Sequence, residues 1–193
     1  ERKEDAVDHY EDVLGTYLVK LSAKHLSTED NRTINTLLHT IGDFERVSDH
    51  AVNLIKTAEE IRDKSIQFSE EALGDLGVLE AAVQDIVNRT VDAFQKGDVY
   101  AAGKIEPLEQ VVDGLVREVK TRHIARLQAG VCTIEYGFVL DDLLTNYERI
   151  ADHCSNIAVA MIEVAADKFD TFPPETYAEM QPVSAPGNAE EDA

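Results

Sequence analysis

A twelve-residue segment occurs twice in this chain, 103 positions apart, and this duplication constrains the fold more than any other feature of the sequence. The first copy, DFERVSDHAVNL, occupies positions 43–54, and the second, NYERIADHCSNI, occupies positions 146–157. Each copy places two acids at i and i+4, which puts both carboxylates on one face of a helix, one turn apart. The acid pairs are Glu45 with Asp49 and Glu148 with Asp152.

Apolar side chains recur every three to four residues along most of the chain, which is typical of one buried face of a helix, and no segment alternates as a strand does. Capping and breaking residues divide this pattern into five predicted helices, whose ends are defined to within a few residues. Pro107 is expected to kink the fourth helix or to mark its effective start. Long antiparallel helices with short links indicate an all-α bundle. The predicted helices span about 1–26, 28–66, 70–96, 98–128 and 134–169.

The repeat extends upstream of the twelve-residue segment, because a second acid pair, Glu4 with Asp8, recurs as Glu109 with Asp113 at an offset of 105. Helices one and two therefore correspond to helices four and five, and helix three precedes the second unit. Symmetry then predicts two tandem three-helix bundles, with the first helix of the first bundle missing from this chain. A helical pattern that begins at Glu1 without a capping residue also suggests a fragment of something longer.

The repeat and the composition divide the chain into three segments. Residues 1–66 are predicted to form the first bundle, as its helices two and three, and residues 70–169 the second bundle. The segment 170–193 is acidic, contains four of the five prolines and lacks a helical pattern. It is expected to be a disordered or loosely packed tail.

The composition excludes several functional classes. A net charge of −20 makes nucleic acid an unsuitable partner, because binding to phosphates needs a basic face. Two cysteines in 193 residues favour a reducing compartment over a disulfide scaffold. No apolar run approaches the roughly 20 residues that span a bilayer.

The acid pairs are informative through their recurrence and register, since the bare Glu-x-x-x-Asp spacing occurs eight times in the chain. In the matched pairs, each Glu lies about 100° around the helix from the centre of the apolar stripe, on a rim beside the core. The rims of neighbouring helices should meet, so that four carboxylates converge in each bundle. The first set is Glu4, Asp8, Glu45 and Asp49, and the second is Glu109, Asp113, Glu148 and Asp152.

Two interpretations of these sets remain open from the residues alone. Four close carboxylates repel one another unless a cation lies among them, and hard oxygen ligands suit magnesium, calcium, manganese or iron. Alternatively, Arg46 and Arg149 pair with the acids and leave a structural acidic rim without metal.

Several further residues of the repeat lie near the predicted site. His50 and His153 would allow zinc if they joined the ligands, but they lie about 140° from the motif Glu on a helical wheel, which favours positions outside the ligand set. Asn53 and Asn156 continue each acid ladder by one more turn and could bond water or a ligand.

At these residues the chain resembles the PhoU family, whose repeated motif is Glu/Asp-x-x-x-Asp, most recognisably Glu-Arg-Ile-Gly-Asp. Here the motif stands as Glu45-Arg46-Val47-Ser48-Asp49 and Glu148-Arg149-Ile150-Ala151-Asp152, and the resemblance covers about residues 1–169. It implies two tandem three-helix bundles that carry clusters of iron, zinc or other cations on these motifs, and a role in regulating phosphate uptake.

The resemblance also sets the expected function. The Asp-His endings at positions 49–50 and 152–153 look most like the cytoplasmic domain of a sodium/phosphate cotransporter, so a metal-binding regulatory domain of such a transporter is the main expectation. The alternatives are a free-standing PhoU-type regulator of phosphate ABC transport and phosphate signalling, and a helical interaction module without metal. No enzymatic activity is expected, since none of the matched pairs has the Glu-x-x-His pattern of di-metal carboxylate enzymes.

The same interpretation names partners and location. A membrane transporter domain in cis or in trans is expected, with a sensor kinase, a transporter ATPase or a second copy of the chain as further partners. The expected location is the cytoplasmic face of the membrane.

Overall fold

The structure, a computed structural model, describes residues 2–166, and every regular element in that range is a helix. The all-α prediction is thereby confirmed. None of the described helices is both long enough and apolar enough to cross a bilayer. The predicted tail at 170–193 and the end of the last predicted helix lie outside the described residues. The helices are α1 (Arg2–Ser22), α2 (Thr28–Asp63), α3 (Glu70–Lys96), α4 (Val99–Ala102), α5 (Ile105–Gln128) and α6 (Ile134–Ala165).

Side-chain caps set the starts of α2 and α3. The Ser27 hydroxyl accepts a hydrogen bond from the Asp30 amide at 3.1 Å, and Ser69 accepts one from the Ala72 amide at 3.2 Å. These bonds satisfy amides that have no partner within the helix. Gly97 ends α3 in the left-handed conformation, at φ 62°, which a residue without a Cβ adopts at little cost.

The single helix predicted over residues 98–128 is wrong, because the structure divides this segment into the one-turn α4 and the long α5. A continuous helix would need a hydrogen bond from residue 107 to the carbonyl of Gly103. Pro107 has no N–H, and its ring would clash with that carbonyl. In the observed fold Pro107 lies in the first turn of α5, where no internal donor is required. The expectation that this proline marks the effective helix start is confirmed.

The hydrophobic core lies mainly in the second half of the chain, between α3, α5 and α6. Leu79 and Ile86 of α3 are fully buried there, together with Leu144 and Ile157 of α6. Helix α2 lies along α6, and Phe44 of α2 meets Phe94 of α3 edge to face at 4.8 Å between ring centroids. The α1–α2 pair therefore joins the core through α2.

Candidate metal centre

The two copies of the repeated segment contact each other where α2 crosses α6. His50 Nδ1 lies 2.9 Å from Asn146 Oδ1, and His153 Nδ1 lies 2.8 Å from Asp43 Oδ1. Each histidine thus bonds the first residue of the other copy, so the helices run antiparallel and the copies are related by an approximate twofold axis. The two imidazole rings stack at 5.6 Å between centroids. We refer to His50, His153, Asp43 and Asn146 as the histidine crossing.

Two groups of three carboxylates lie on either side of this crossing. The first cluster comprises Asp8 of α1 with Glu45 and Asp49 of α2, and the second comprises Glu109 and Asp113 of α5 with Asp152 of α6. Within each cluster, one oxygen of every carboxylate lies within 4.8 Å of one oxygen of the others. Each cluster therefore joins the two helices of one repeat unit, α1 to α2 or α5 to α6.

The structure brings together three of the four predicted carboxylates in each half. Glu4 and Glu148 are half-buried but belong to neither group among the described residues. Glu4 lies one turn before the cluster member Asp8 on α1, and Glu148 lies one turn before the cluster member Asp152 on α6. The clusters are consequently not equivalent: α2 supplies two acids to the first, whereas α6 supplies one acid to the second.

Burial, together with the crowding of like charges, raises the pKa of one glutamate in each cluster. Burial, the hydrogen bond to Asp49 and repulsion from Asp49 and Asp8 raise the pKa of Glu45 above its ordinary value, against the opposing effect of Arg46. Burial and repulsion from Asp113 and Asp152 raise the pKa of Glu109. Both carboxylates are therefore in surroundings that disfavour a third negative charge.

Exposed arginines neutralise the clusters only in part. Arg46 Nε lies 3.4 Å from Glu45 Oε2, and its Nη1 lies 3.4 Å from Asp49 Oδ2. Arg149 lies 3.2 Å from Asp152, and Arg117 lies 3.7 Å from Asp113. Each guanidinium is largely exposed, so these pairs are screened by water and individually weak.

The second cluster contains an unsatisfied oxygen that tests whether a cation would fit. Asp113 Oδ1 is buried and accepts no hydrogen bond from the described residues. A buried carboxylate oxygen without a partner is costly, and a cation held with Glu109 and Asp152 would satisfy it. Three carboxylates around one position suit a hard divalent cation, whose remaining sites water can fill. The donor set therefore fits a cation of this kind.

His50, His153 and Asn156 lie at the histidine crossing and not in the clusters. His50 and His153 direct Nδ1 across the α2–α6 contact, and Asn156 Nδ2 donates to Asp43 Oδ1 at 3.2 Å. The backbone carbonyl of Asn53 accepts a hydrogen bond from the hydroxyl of Thr57 within α2. The histidines thus have a structural role in joining the repeats.

Sequence reasoning missed three residues of this region. Asp43 and Asn146 open the two repeated segments, two helical turns before the histidines, and this recurrence was a signal for them. Arg117 follows Asp113 by four residues, a spacing that brings opposite charges together on a helix.

Comparisons with known proteins agree with this architecture. The family model described as the PhoU domain matches residues 1–58 and 78–161. The PhoU homolog 1 of Thermotoga maritima, a phosphate-specific transport system accessory protein, is 24% identical over 137 residues, covering 71% of this chain and 58% of that protein. The accessory protein PhoU of Edwardsiella tarda is 29% identical over 146 residues, covering 72% of this chain and 56% of its own length.

A solved structure supports the fold itself. The crystal structure of PhoU from Pseudomonas aeruginosa superposes with a TM-score of 0.76 at 21% identity, covering 85% of this chain and 78% of that chain. This chain spans somewhat more than half the length of the first two relatives. The family match extends over both repeats, including the motif acids and the histidine crossing, and the chain therefore belongs to the PhoU family.

Proposed function

We propose that this protein is an accessory regulator of phosphate transport that binds divalent cations at its two carboxylate clusters. The observation that carries the proposal is the duplicated cluster itself, two groups of three carboxylates within 4.8 Å on a PhoU fold. The matched relatives are named as accessory proteins of phosphate-specific transport, which supports the regulatory part. Iron, zinc, manganese, magnesium and calcium are the ions to test.

The comparisons favour the accessory interpretation over the cotransporter domain that the Asp-His endings led us to expect. No cotransporter stands among the relatives described above, and the histidines of those endings join the two repeats to each other. A transporter domain, a transporter ATPase and a sensor kinase, met at the cytoplasmic face of the membrane, are the partners we propose for such a regulator.

A cation at each cluster would act on the fold through the residues that hold it. It would draw Asp8 of α1 toward Glu45 and Asp49 of α2, and Asp152 of α6 toward Glu109 and Asp113 of α5. Binding at 100 times the dissociation constant stabilises a folded protein by about 2.7 kcal/mol for each site. Cation occupancy would therefore determine how firmly each helix pair is held.

The test compares two pairs of acids that share a helix and a spacing. Glu45→Gln with Asp49→Asn removes two members of the first cluster, whereas Glu59→Gln with Asp63→Asn changes an exposed pair on the same helix. Protein prepared with each cation in turn is analysed for bound metal, and each variant is tested for control of phosphate uptake in cells lacking their own regulator.

The proposal expects less bound metal and lost control of uptake for the cluster variant, with neither change for the exposed pair. Metal binding that is equal in both variants would refute the cation sites. If control of phosphate uptake survives replacement of the acids in both clusters, the protein regulates without cations at these sites and the acids have only a structural role.

A further inference from the structure

The turn that joins α5 to α6 holds a cysteine beside a buried histidine. Cys132 is partly exposed, and its Sγ lies 3.6 Å from Nδ1 of His123, a residue of α5. The same sulfur lies 3.6 Å from the backbone carbonyl oxygen of Thr133. The exposed fraction of His123 is 8%. A buried imidazole therefore contacts a thiol that solvent reaches in part.

The first repeat unit shows that the core does not need a histidine at this position. At the offset of 105, His123 corresponds to Leu18 of α1, and at the offset of 103, Gly137 of α6 corresponds to Ile34 of α2. Leu18 and Ile34 are both buried, so the first unit fills these two positions with apolar side chains. Burying an imidazole costs more free energy, because its nitrogens lose hydrogen bonds to water. The contact with Cys132 is what the second unit gains from this exchange.

Gly137 leaves the space that the imidazole ring occupies. A Cβ on Gly137 would lie 2.8 Å from Nε2 of His123, which is too close for two atoms that are not bonded. Nε2 is buried and has no hydrogen-bond partner among the described residues. The Cα–H group of Gly137 can donate a weak hydrogen bond but cannot accept one, which favours Nε2 without a proton. The ring proton is therefore assigned to Nδ1, which donates a hydrogen bond to the Cys132 sulfur, while the thiol donates to the Thr133 carbonyl.

The surroundings of His123 keep its ring neutral. Burial and the positive charge of Arg126 lower the pKa of His123 below its ordinary value. Arg126 is itself buried and forms an ion pair with Asp75 of α3 at 3.0 Å. An imidazolium would add a second N–H against Gly137, where it would have no acceptor. His123 therefore acts on the sulfur as a neutral hydrogen-bond donor and not as a base that takes up the thiol proton.

We propose that Cys132 is a site of reversible modification by small disulfides, with His123 donating a hydrogen bond to its sulfur as the thiolate reacts. The thiol first releases its proton to solvent, and the bond from Nδ1 stabilises the negative charge. The thiolate then attacks one sulfur of the reagent, so that a new S–S bond forms while the bond within the reagent breaks. The other half of the reagent leaves as a thiolate. The Cys132 sulfur is oxidised and the leaving sulfur is reduced, so the exchange needs no further oxidant.

The product is an adduct with the reagent and not a disulfide within the chain. Cys154, the other cysteine, is 2% exposed and lies about 30 Å along α6 from the start of that helix. A disulfide requires two Cα atoms within roughly 7 Å of each other. The reagent therefore stays on Cys132 until a second small thiol removes it.

The test measures how fast the chain of 193 residues reacts with 2,2′-dithiodipyridine, a small uncharged disulfide whose leaving group absorbs light. Mass spectrometry of the folded protein should find one adduct, on Cys132. His123→Leu installs the residue of the first unit and removes the donor, so it should slow the reaction at pH 7 by roughly tenfold. His123→Asn keeps an N–H donor close to the position of Nδ1 and should retain most of the rate. His25→Ala, which alters an exposed histidine in the turn between α1 and α2, is the control and should leave the rate unchanged.

The pH dependence of the rate separates a hydrogen bond to the sulfur from a change in access. Thiols ionise without assistance near pH 10, so the rates of His123→Leu and of the unaltered protein should converge there. A change in access would lower the rate by the same factor at every pH. The charged groups beside the pair, Arg126 of α5 and Asp75 of α3, are the same in all of these variants.

The proposal fails on any of four results. These are no adduct on Cys132, an adduct on Cys154 in the folded protein, a rate that His123→Leu leaves unchanged, and a deficit of His123→Leu that persists undiminished at pH 10. An Asn variant as slow as the Leu variant would make His123 a base and overturn its assigned role. Circular dichroism and urea unfolding show that each variant is folded before its rate is compared.

Discussion

Replacing Glu109 with Gln should change the stability of the protein in opposite directions with and without a cation. Without a cation, the substitution removes one of three crowded negative charges in the second cluster and leaves the shape of the side chain nearly unchanged. With a cation, the same substitution removes a ligand. A site that exists to bind a cation predicts this reversal of sign, whereas an acidic rim balanced by arginines predicts none.

The size of each effect follows from the geometry. Two unit charges 4.8 Å apart repel by about 0.9 kcal/mol in the dielectric of water, and Glu109 has two such neighbours. Arg117 and Arg149 offset part of this repulsion, so we expect Glu109→Gln to stabilise the chelated protein by about 1 kcal/mol. That change corresponds to a rise in Tm of about 2–4 °C. At a cation concentration of 100 Kd, the variant should forgo the gain of about 2.7 kcal/mol that this cluster gives the unaltered protein.

Denaturant unfolding followed by circular dichroism, in EDTA and in each cation, measures both differences. Glu118→Gln is the control, because Glu118 lies on the same helix, is exposed and pairs with Arg122 outside the cluster. It should change the free energy of unfolding by less than about 0.5 kcal/mol under both conditions. A Glu109→Gln variant that is less stable than the unaltered protein in EDTA would show that the carboxylate is not repelled, and the reasoning would fail.

The difference in stability between Glu109→Gln and the unaltered protein in EDTA should depend on pH with a definite sign. The pKa of Glu109 is raised in the folded state, which means that the fold favours the protonated side chain over the ionised one. This favourable contribution is fully present below the ordinary value of 4.5 and is lost as the pH rises through the raised value and the side chain ionises. The advantage of Glu109→Gln in EDTA should therefore be complete at pH 7 and shrink as the pH falls toward 4.5. An advantage that grows on acidification would contradict this origin.

Three further predictions concern single side chains. Burial raises the pKa of Cys154 to about 11, so a thiol reagent at pH 8 should label Cys132 rapidly and Cys154 only on unfolding; two equally fast thiols would contradict the buried position. His153→Ala breaks the histidine crossing and removes the shorter of two side-chain hydrogen bonds to Asp43, so urea unfolding should show a loss of about 1–3 kcal/mol; an unchanged midpoint would show that the crossing does not stabilise the protein. Leu144→Ala in the core should cost about 2–5 kcal/mol, whereas its half-buried counterpart in the first half, Ile41→Ala, should cost clearly less; equal losses in urea would place a second core in the α1–α2 pair.

The helices were predictable because the signals for them lie within single segments. Apolar spacing, the caps at Ser27 and Ser69 and the ring of Pro107 act on neighbouring residues, and each produces the expected boundary or break. The duplication added the equivalence of the two halves, which local patterns do not contain.

The parts that could not be predicted depend on how helices slide and cross. A helical wheel gives the face of an acid but not its height relative to a neighbouring helix. It therefore does not show that Glu45 with Asp49, and Glu109 with Asp113, enter the clusters as complete pairs, whereas Glu4 and Glu148 stay outside. The bonds from His50 to Asn146 and from His153 to Asp43 depend on the angle and register at which α2 meets α6. No spacing within either helix specifies that register.

The contacts that join neighbouring helices determine which helix should loosen first when a chelator removes the cations. The first cluster joins α1 to α2, the histidine crossing joins α2 to α6, and the second cluster joins α6 to α5. Helix α5 is also held by buried Val112, Val116 and Val119, whereas Leu18 is the one buried apolar side chain in the described part of α1. If the clusters hold cations as proposed, their removal should increase amide hydrogen exchange in α1 well before α5. Equal increases in both helices would mean that the clusters, and not the core, set the stability of the second half.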